Sequence, residues 1–169
     1  FPAQAARVAA QVDDARARGA AIRTGGEIET LGGGRYMRPT VLTGVTDDMA
    51  VMREETFGPV IPVIPFDTVE EAIALANTGD YGLSASVIAG SADEAAAIGE
   101  CIDAGAISLQ DGALTTMVGD ATNHSRKGSG LGPSRMGDEG MLRFLRRQAL
   151  VRQTGTPATI DMFREGPPA

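Results

Sequence analysis

Val60-Ile61-Pro62-Val63-Ile64-Pro65-Phe66 opens the stretch that decides the fold, and four further segments follow it: Thr68 to Asn77, Leu83 to Ala89, Ser91 to Gly105, and Ala106-Ile107-Ser108-Leu109. The first is a short apolar run punctuated by prolines, the pattern of a buried strand. Thr68 with Glu71, and Ser91 with Glu94, are hydroxyl-to-carboxylate pairs three residues apart, the capping-box signature of a helix start. Thr78-Gly79-Asp80 ends the first helix, and the second runs to near Gly105. Leu83–Ala89 and Ala106–Leu109 read as strands. The order is therefore strand, helix, strand, helix, strand, with helical patterns of about ten residues, which predicts an α/β fold with a mostly parallel sheet and right-handed crossover helices.

Working outward, residues 4–18 carry an apolar face (Ala6, Val8, Ala9, Val12, Ala15) at helical spacing, and Gly19 stops the helix. Residues 20–24 are a short strand candidate. The glycines at 25, 26 and 32–34 predict a turn-rich loop or hairpin, and Tyr36 to Val45 is extended. Beyond the central stretch, residues 111–137 show no period; a loop of that length in a compact domain is usually functional. Asp138 to about Arg146 reads as a short amphipathic helix and Gln148–Thr154 as a final strand. The domain is expected to span residues 1–154, with 155–169 a weakly ordered, proline-bearing tail.

The chain has 169 residues, long enough for one domain with a real core, and a net charge of −7. That sign argues against a nucleic-acid partner, because phosphate binding wants a basic face. No apolar run approaches the roughly 20 residues of a membrane span. Phe1-Pro2-Ala3-Gln4 is neither an initiator Met nor a signal peptide, so the chain reads as processed or cut from something longer. A single Cys cannot staple a secreted fold, so the cytoplasm is the expected compartment. Cys101 and His124, one of each type, are too few for a Cys/His zinc site, and no metal is expected. Cys101, in an apolar helical run and flanked by Glu100 and Asp103, reads as a small buried hydrophobe and not as a nucleophile, which would want an electropositive, open niche.

The most specific local motif is Glu54-Glu55-Thr56-Phe57-Gly58-Pro59-Val60. Two carboxylates and a ring on a loop entering a strand can offer hydrogen-bond acceptors to a diol and a flat apolar wall to a ligand; they also suit a solvated acidic turn with the ring in the core. Lys127-Gly128-Ser129-Gly130-Leu131-Gly132 lacks the preceding strand and spacing of a phosphate loop, and its glycines read as sites of close backbone packing.

These motifs, taken in order, carry a family resemblance. Arg38-Pro39-Thr40-Val41-Leu42, the acidic turn, Phe66 to Asn77, Tyr81-Gly82-Leu83-Ser84-Ala85-Ser86-Val87, Ala104-Gly105-Ala106-Ile107 and Lys127 to Gly132 together resemble the aldehyde dehydrogenase family over about residues 5–154. The family oxidises aldehydes to acids with NAD or NADP: a Cys attacks the aldehyde, hydride passes to the nicotinamide, and a water activated by a Glu releases the acid. The resemblance implies that Glu55 binds the nicotinamide ribose and that Phe57 packs near the nicotinamide. It places Gln110, Asp111 and Leu114, at the end of a strand, and Asn123 and His124, where relatives often have an aromatic, along the tunnel for a small aldehyde. The family's nucleophilic Cys, general base and dinucleotide-binding domain match nothing in this chain, so none of its residues is expected to be catalytic and the 169 residues alone are expected to be inactive. The resemblance also implies a homo-oligomer assembled through residues 148–154, although that strand could instead complete its own sheet. The competing expectation is a stand-alone, non-catalytic assembly module.

Overall fold

The computed structural model describes residues 2–119, 121–132, 138–146 and 148–155. Helix α1 (Pro2–Ala17) buries Val8, Gln11, Val12 and Ala15, residues three, four and seven apart and so on one face. It ends where the sequence predicts, in a Schellman arrangement: the Ala20 N–H reaches the Ala15 carbonyl at 2.9 Å and the Gly19 N–H the Arg16 carbonyl at 3.1 Å. Gly19 sits at φ +99°, a conformation that costs a glycine little and a side-chain-bearing residue much.

Strands β1 (Ala21–Thr24), β4 (Thr40–Thr43) and β5 (Val60–Val63) form a sheet in the order β1-β4-β5. β1 runs antiparallel to β4, and β5 runs parallel to it. Between β1 and β4, β2 (Ile28–Leu31) and β3 (Gly34–Met37) make the hairpin anticipated at the glycine cluster. α1 lies on the three-stranded sheet, and Val8, Val12, Ala15, Leu42, Val45, Met49, Val51 and Val60 form the core between them. A single-turn helix, α2 (Ala50–Arg53), was not anticipated from the sequence. It has no side-chain cap of its own; Asp14 of α1 supplies one, its Oδ2 accepting from the Ala50 N–H at 2.9 Å.

α3 (Val69–Asn77) and α4 (Ala92–Gly99) begin at the predicted caps, with the Thr68 and Ser91 side chains accepting from the N–H groups of Glu71 and Glu94. β7 (Ser84–Val87) and β8 (Ala106–Leu109) pair in parallel across α4, the predicted crossover unit. β6 (Tyr81–Gly82) pairs antiparallel with β9 (Arg126–Lys127). A single turn, α5 (Leu114–Met117), and a 3-10 helix at Asp138–Phe144 follow β8 and β9 respectively.

The structure departs from the sequence reading in three places. The predicted strands at 60–66, 83–89 and 106–109 do not share one ladder: β5 pairs with β4, and β7 with β8. Pro62 pairs with Leu42 on β4 and has no N–H, which suits β5 to an edge of its sheet. α4 stops at Gly99, and residues 100–105 are turns closed by Cys101 and Ile102 N–H groups on the carbonyls of Ile98 and Gly99. Residues 148–154 form no strand; Leu150 and Val151 are 88% and 93% exposed, because no edge among the described residues pairs with them. The predicted tail lies, apart from Gly155, outside the described residues.

Candidate functional site

The acidic turn leaves α2 at Glu54, whose N–H closes on the Ala50 carbonyl at 2.9 Å. What fixes the turn is Gln11, a polar residue only 2% exposed on the buried face of α1. Its Nε2 donates to the Glu54 carboxylate at 3.3 Å and to the Glu55 carbonyl at 3.4 Å, and its Oε1 accepts from the Thr56 hydroxyl at 2.9 Å. A buried amide must satisfy both of its ends, and here it does so by gripping three successive residues. Glu54 is thereby occupied. The Glu55 carboxylate has no partner among the described residues, and Glu55 lines a cavity of about 260 Å3 with Tyr81, Gly82, Leu83, Ser84 and Asp103.

Phe57 is placed elsewhere. It is 71% exposed and borders a different cavity, of about 170 Å3, between the start of α1 (Gln4, Ala5, Val8) and the hairpin (Ile28, Tyr36, Met37). Gln4 holds its carbonyl through Nε2 at 3.1 Å. Glu55 and Phe57 therefore do not line a common cavity in this structure.

A second cavity bears on the site, of about 310 Å3. It is walled on one side by Leu83 and Ser84 and on the other by Thr115, Thr116, Asn123, His124 and Ser125. Leu83 and Ser84 also line the Glu55 cavity, so one short piece of chain at the start of β7 separates the two. Of the predicted pocket residues, Asn123 and His124 are thus brought to a cavity beside Glu55. Asn123 holds the far wall together, its Nδ2 donating to the Thr115 carbonyl at 3.1 Å.

His124 is located by its backbone: its N–H meets the Gly105 carbonyl at 3.3 Å, and Gly105 in turn donates to the Gly82 carbonyl at 2.9 Å. A Cβ on Gly105 would lie 1.6 Å from the His124 carbonyl oxygen, so only glycine permits this approach.

Gln110, Asp111 and Leu114 are not among the residues lining that cavity. The Gln110 amide pairs with the backbone of Ala89, accepting its N–H and donating to its carbonyl, both at 2.8 Å. Asp111 Oδ1 accepts from the Ala113 N–H at 2.7 Å, an Asx turn leading into α5, which Leu114 begins. These residues shape the loop's entry instead of facing its cavity. Leu83, Ser84, Thr115, Thr116 and Ser125 were not anticipated there. Thr115, Thr116 and Ser125, small hydroxyl residues in an aperiodic loop, carry no spacing signal that separates a wall residue from a solvated one, and Leu83 and Ser84 read only as the start of a strand.

Cys101 is exposed, contrary to the buried position expected from its apolar neighbours, because α4 ends before it; its Sγ lies 3.6 Å from the Ala97 carbonyl. It borders neither the Glu55 cavity nor the His124 cavity. No group of His, Cys, Asp and Glu suited to a metal occurs among the described residues, and none of their helices is long and apolar enough to cross a membrane.

Two carboxyls with lowered values, Asp14 and Asp48, lie around α2, from which the acidic turn leaves. The Asp14 carboxyl is held below its ordinary value by the Ala50 N–H first and by Arg18 second. Asp48 is held low by the Thr46 hydroxyl and its own backbone N–H. Arg18 bridges the two, 2.8 Å from Asp14 and 2.7 Å from Asp48, and so ties α1 to the segment that launches the acidic turn.

Comparison with known proteins identifies the family. The model of the aldehyde dehydrogenase family matches residues 2–150. A Mycolicibacterium smegmatis protein named "Putative succinate-semialdehyde dehydrogenase (NADP+)" is 44% identical over 145 residues, covering 85% of this chain and 28% of that protein. Among solved structures, the "Putative Aldehyde Dehydrogenase PutA" of Anabaena variabilis superposes with a TM-score of 0.86 at 48% identity, over 95% of this chain and 34% of that one. An NAD+ complex of a Mycobacterium tuberculosis aldehyde dehydrogenase superposes at 0.83 with 31% identity, over 94% of this chain and 32% of that one. The chain thus spans about a third of the length of these relatives. With the acidic turn, the β7–α4–β8 crossover and the Lys127–Gly132 segment matched in one continuous run, the chain belongs to the aldehyde dehydrogenase family.

Proposed function

We propose that the protein carrying this chain oxidises a small aldehyde to its carboxylic acid with NAD or NADP, and that these 169 residues contribute one wall of the cofactor site and part of the aldehyde tunnel. The observation that carries the reading is the placement of Glu55. Gln11 grips the residues on either side of it, while the Glu55 carboxylate has no partner among the described residues and lies at a cavity that shares Leu83 and Ser84 with the Asn123–His124 cavity.

An unpartnered carboxylate on a backbone held in place accepts two hydroxyl hydrogen bonds, as a ribose diol would offer, so the residues present suit that end of a dinucleotide. The dinucleotide, when bound, supplies the hydride acceptor. Glu55 orients the ribose. Leu83 and Ser84 separate the cofactor end from the aldehyde end, and Thr115, Asn123 and His124 bound the aldehyde. Phe57 borders the separate cavity beside the start of α1, so on this geometry it does not join the Glu55 wall.

No described residue of this chain brings a cysteine thiol to either cavity, so the family's covalent step falls to residues outside the matched third of the family's length. The 169-residue stretch alone should therefore not oxidise aldehydes. The exposed Leu150 and Val151 support pairing of residues 148–154 with a second subunit, and so a homo-oligomer.

The test is reduction of NAD or NADP followed by absorbance, with small aldehydes, in the full-length protein and its Glu55→Gln variant. Losing a charged acceptor is worth about 1.5–3 kcal/mol, so cofactor affinity or the hydride-transfer rate should fall roughly 10- to 100-fold with the fold intact. Unchanged kinetics would remove the ribose role. Turnover by the isolated 169 residues would overturn the assignment of chemistry elsewhere.

A further inference from the structure

Two non-glycine residues among those described adopt positive φ: Gln110 at 57° and Lys127 at 51°. They bracket the segment that carries Thr115, Thr116, Asn123, His124 and Ser125 to its cavity. Such a conformation is disfavoured for any side-chain-bearing residue, and it persists only where the surroundings over-determine it. At both positions the residue's own side chain does so.

At Gln110 the backbone N–H completes the β7–β8 register on the Val87 carbonyl at 2.8 Å, and then the chain turns away. The side-chain amide continues where the backbone has left: it accepts the Ala89 N–H and donates to the Ala89 carbonyl, each at 2.8 Å, like one more rung of the ladder. At Lys127 the ammonium donates to the carbonyls of Asn77 at 2.9 Å and Gly79 at 3.0 Å, at the C-terminal end of α3, where a cation is favoured. Asp103 lies 3.6 Å away as its counter-charge, and the next N–H, of Gly128, closes on the Asp80 carbonyl at 2.8 Å. The loop is thus fastened at one end beyond β7 and at the other just before Tyr81, and the chain between those two fastenings contains Leu83 and Ser84, the opposite wall of the cavity.

We infer that Gln110 and Lys127 are positioning residues that set the width of the aldehyde cavity by clamping both ends of the loop to the chain that bears its opposite wall. A glycine at either place would reach the same backbone conformation freely but hold nothing. This inference rests on the proposed function for its kinetic consequence, and on the geometry alone for the clamp.

The experiment uses the full-length protein and four variants: Gln110→Gly, which keeps the backbone freedom and removes the amide; Gln110→Asn, a milder change whose shorter amide cannot meet both Ala89 groups; Lys127→Met, which keeps the length without the charge; and Lys127→Arg, the conservative control. Two readouts are taken, aldehyde KM beside cofactor Kd, and hydrogen exchange at the Thr115, His124 and Ser125 amides. Gln110→Gly and Lys127→Met should raise aldehyde KM about tenfold, as expected for a binding wall displaced by a fraction of an ångström, with cofactor Kd changed less than about twofold. Exchange at the three amides should quicken, Gln110→Asn should be intermediate, and Lys127→Arg should restore most of the KM. Unaltered KM with quickened exchange overturns the positioning role, and unaltered exchange overturns the clamp itself. If a severe variant fails to fold, Gln110→Asn takes the place of Gln110→Gly and Lys127→Gln that of Lys127→Met, read by the same two measurements. A parent protein that oxidises no aldehyde refutes the functional reading, and exchange still decides the clamp.

Discussion

Replacing Gln11 isolates what holds the acidic turn. Gln11→Leu keeps an apolar body on the buried face of α1 but removes one hydrogen bond of good length, from the Thr56 hydroxyl at 2.9 Å, and two long ones at 3.3 and 3.4 Å. A net hydrogen bond is worth about 0.5–1.5 kcal/mol, and the two long ones belong at the bottom of that range. Glu54 is exposed and can recover water, whereas Thr56 is half-buried and recovers less. With some return from the added apolar burial, the cost is about 1–2 kcal/mol. For a folding unit of about 150–250 residues that lowers the melting temperature by roughly 2–8 °C. Gln11→Glu is the sharper control. It keeps an acceptor for Thr56, loses both donors, and places a third carboxylate beside Glu54 and Glu55. It should melt lower than Gln11→Leu near neutral pH and recover as the pH falls toward the carboxylate range, when the repulsion is protonated away. Thermal melts of the parent and both variants, followed by circular dichroism at two pH values, measure this. If Gln11→Glu melts with the parent and is indifferent to pH, Gln11 does not grip the turn.

Two further outcomes can be checked by unfolding. Gly105→Ala should destabilise by about 3 kcal/mol or more, since the new Cβ would meet the His124 carbonyl oxygen, a backbone atom that cannot swing aside; denaturant midpoints that match the parent would contradict the packing of Gly82, Gly105 and His124. Asp14 and Asp48 both have lowered folded-state values, so their contribution is fully present above the unfolded carboxylate value of about 3.9 and is lost as the pH falls through the folded values below it. Stability plotted against pH should therefore drop on the acid side of that value, and Asp14→Asn should flatten the drop; an equal slope in the variant would remove the role of the α1–α2 cap.

Much of the fold was legible because its signals close over a few residues. Thr68 with Glu71, Ser91 with Glu94, and Gly19 after a helical face each specify a terminus through hydrogen bonds spanning three to five positions, and the structure uses them where they stand. The glycines before Tyr36 specify a hairpin in the same local way. The family motifs, read in order, sufficed for the family. Tertiary structure alone decided the rest, because the deciding partners are far apart in the chain. Asp14 caps a helix that begins 36 positions later, and Gln11 grips residues 43–45 positions away. Gln110, read as a pocket residue from its place at a strand end, spends its amide on Ala89, 21 positions back. Cys101, read as buried among apolar neighbours, is exposed because the helix ends before reaching it. Residues 148–154 have strand composition, but a strand exists only with a partner edge, and the described chain offers them none. Composition and spacing determine which local closures are possible; which long-range donor meets which acceptor depends on the path of the whole chain.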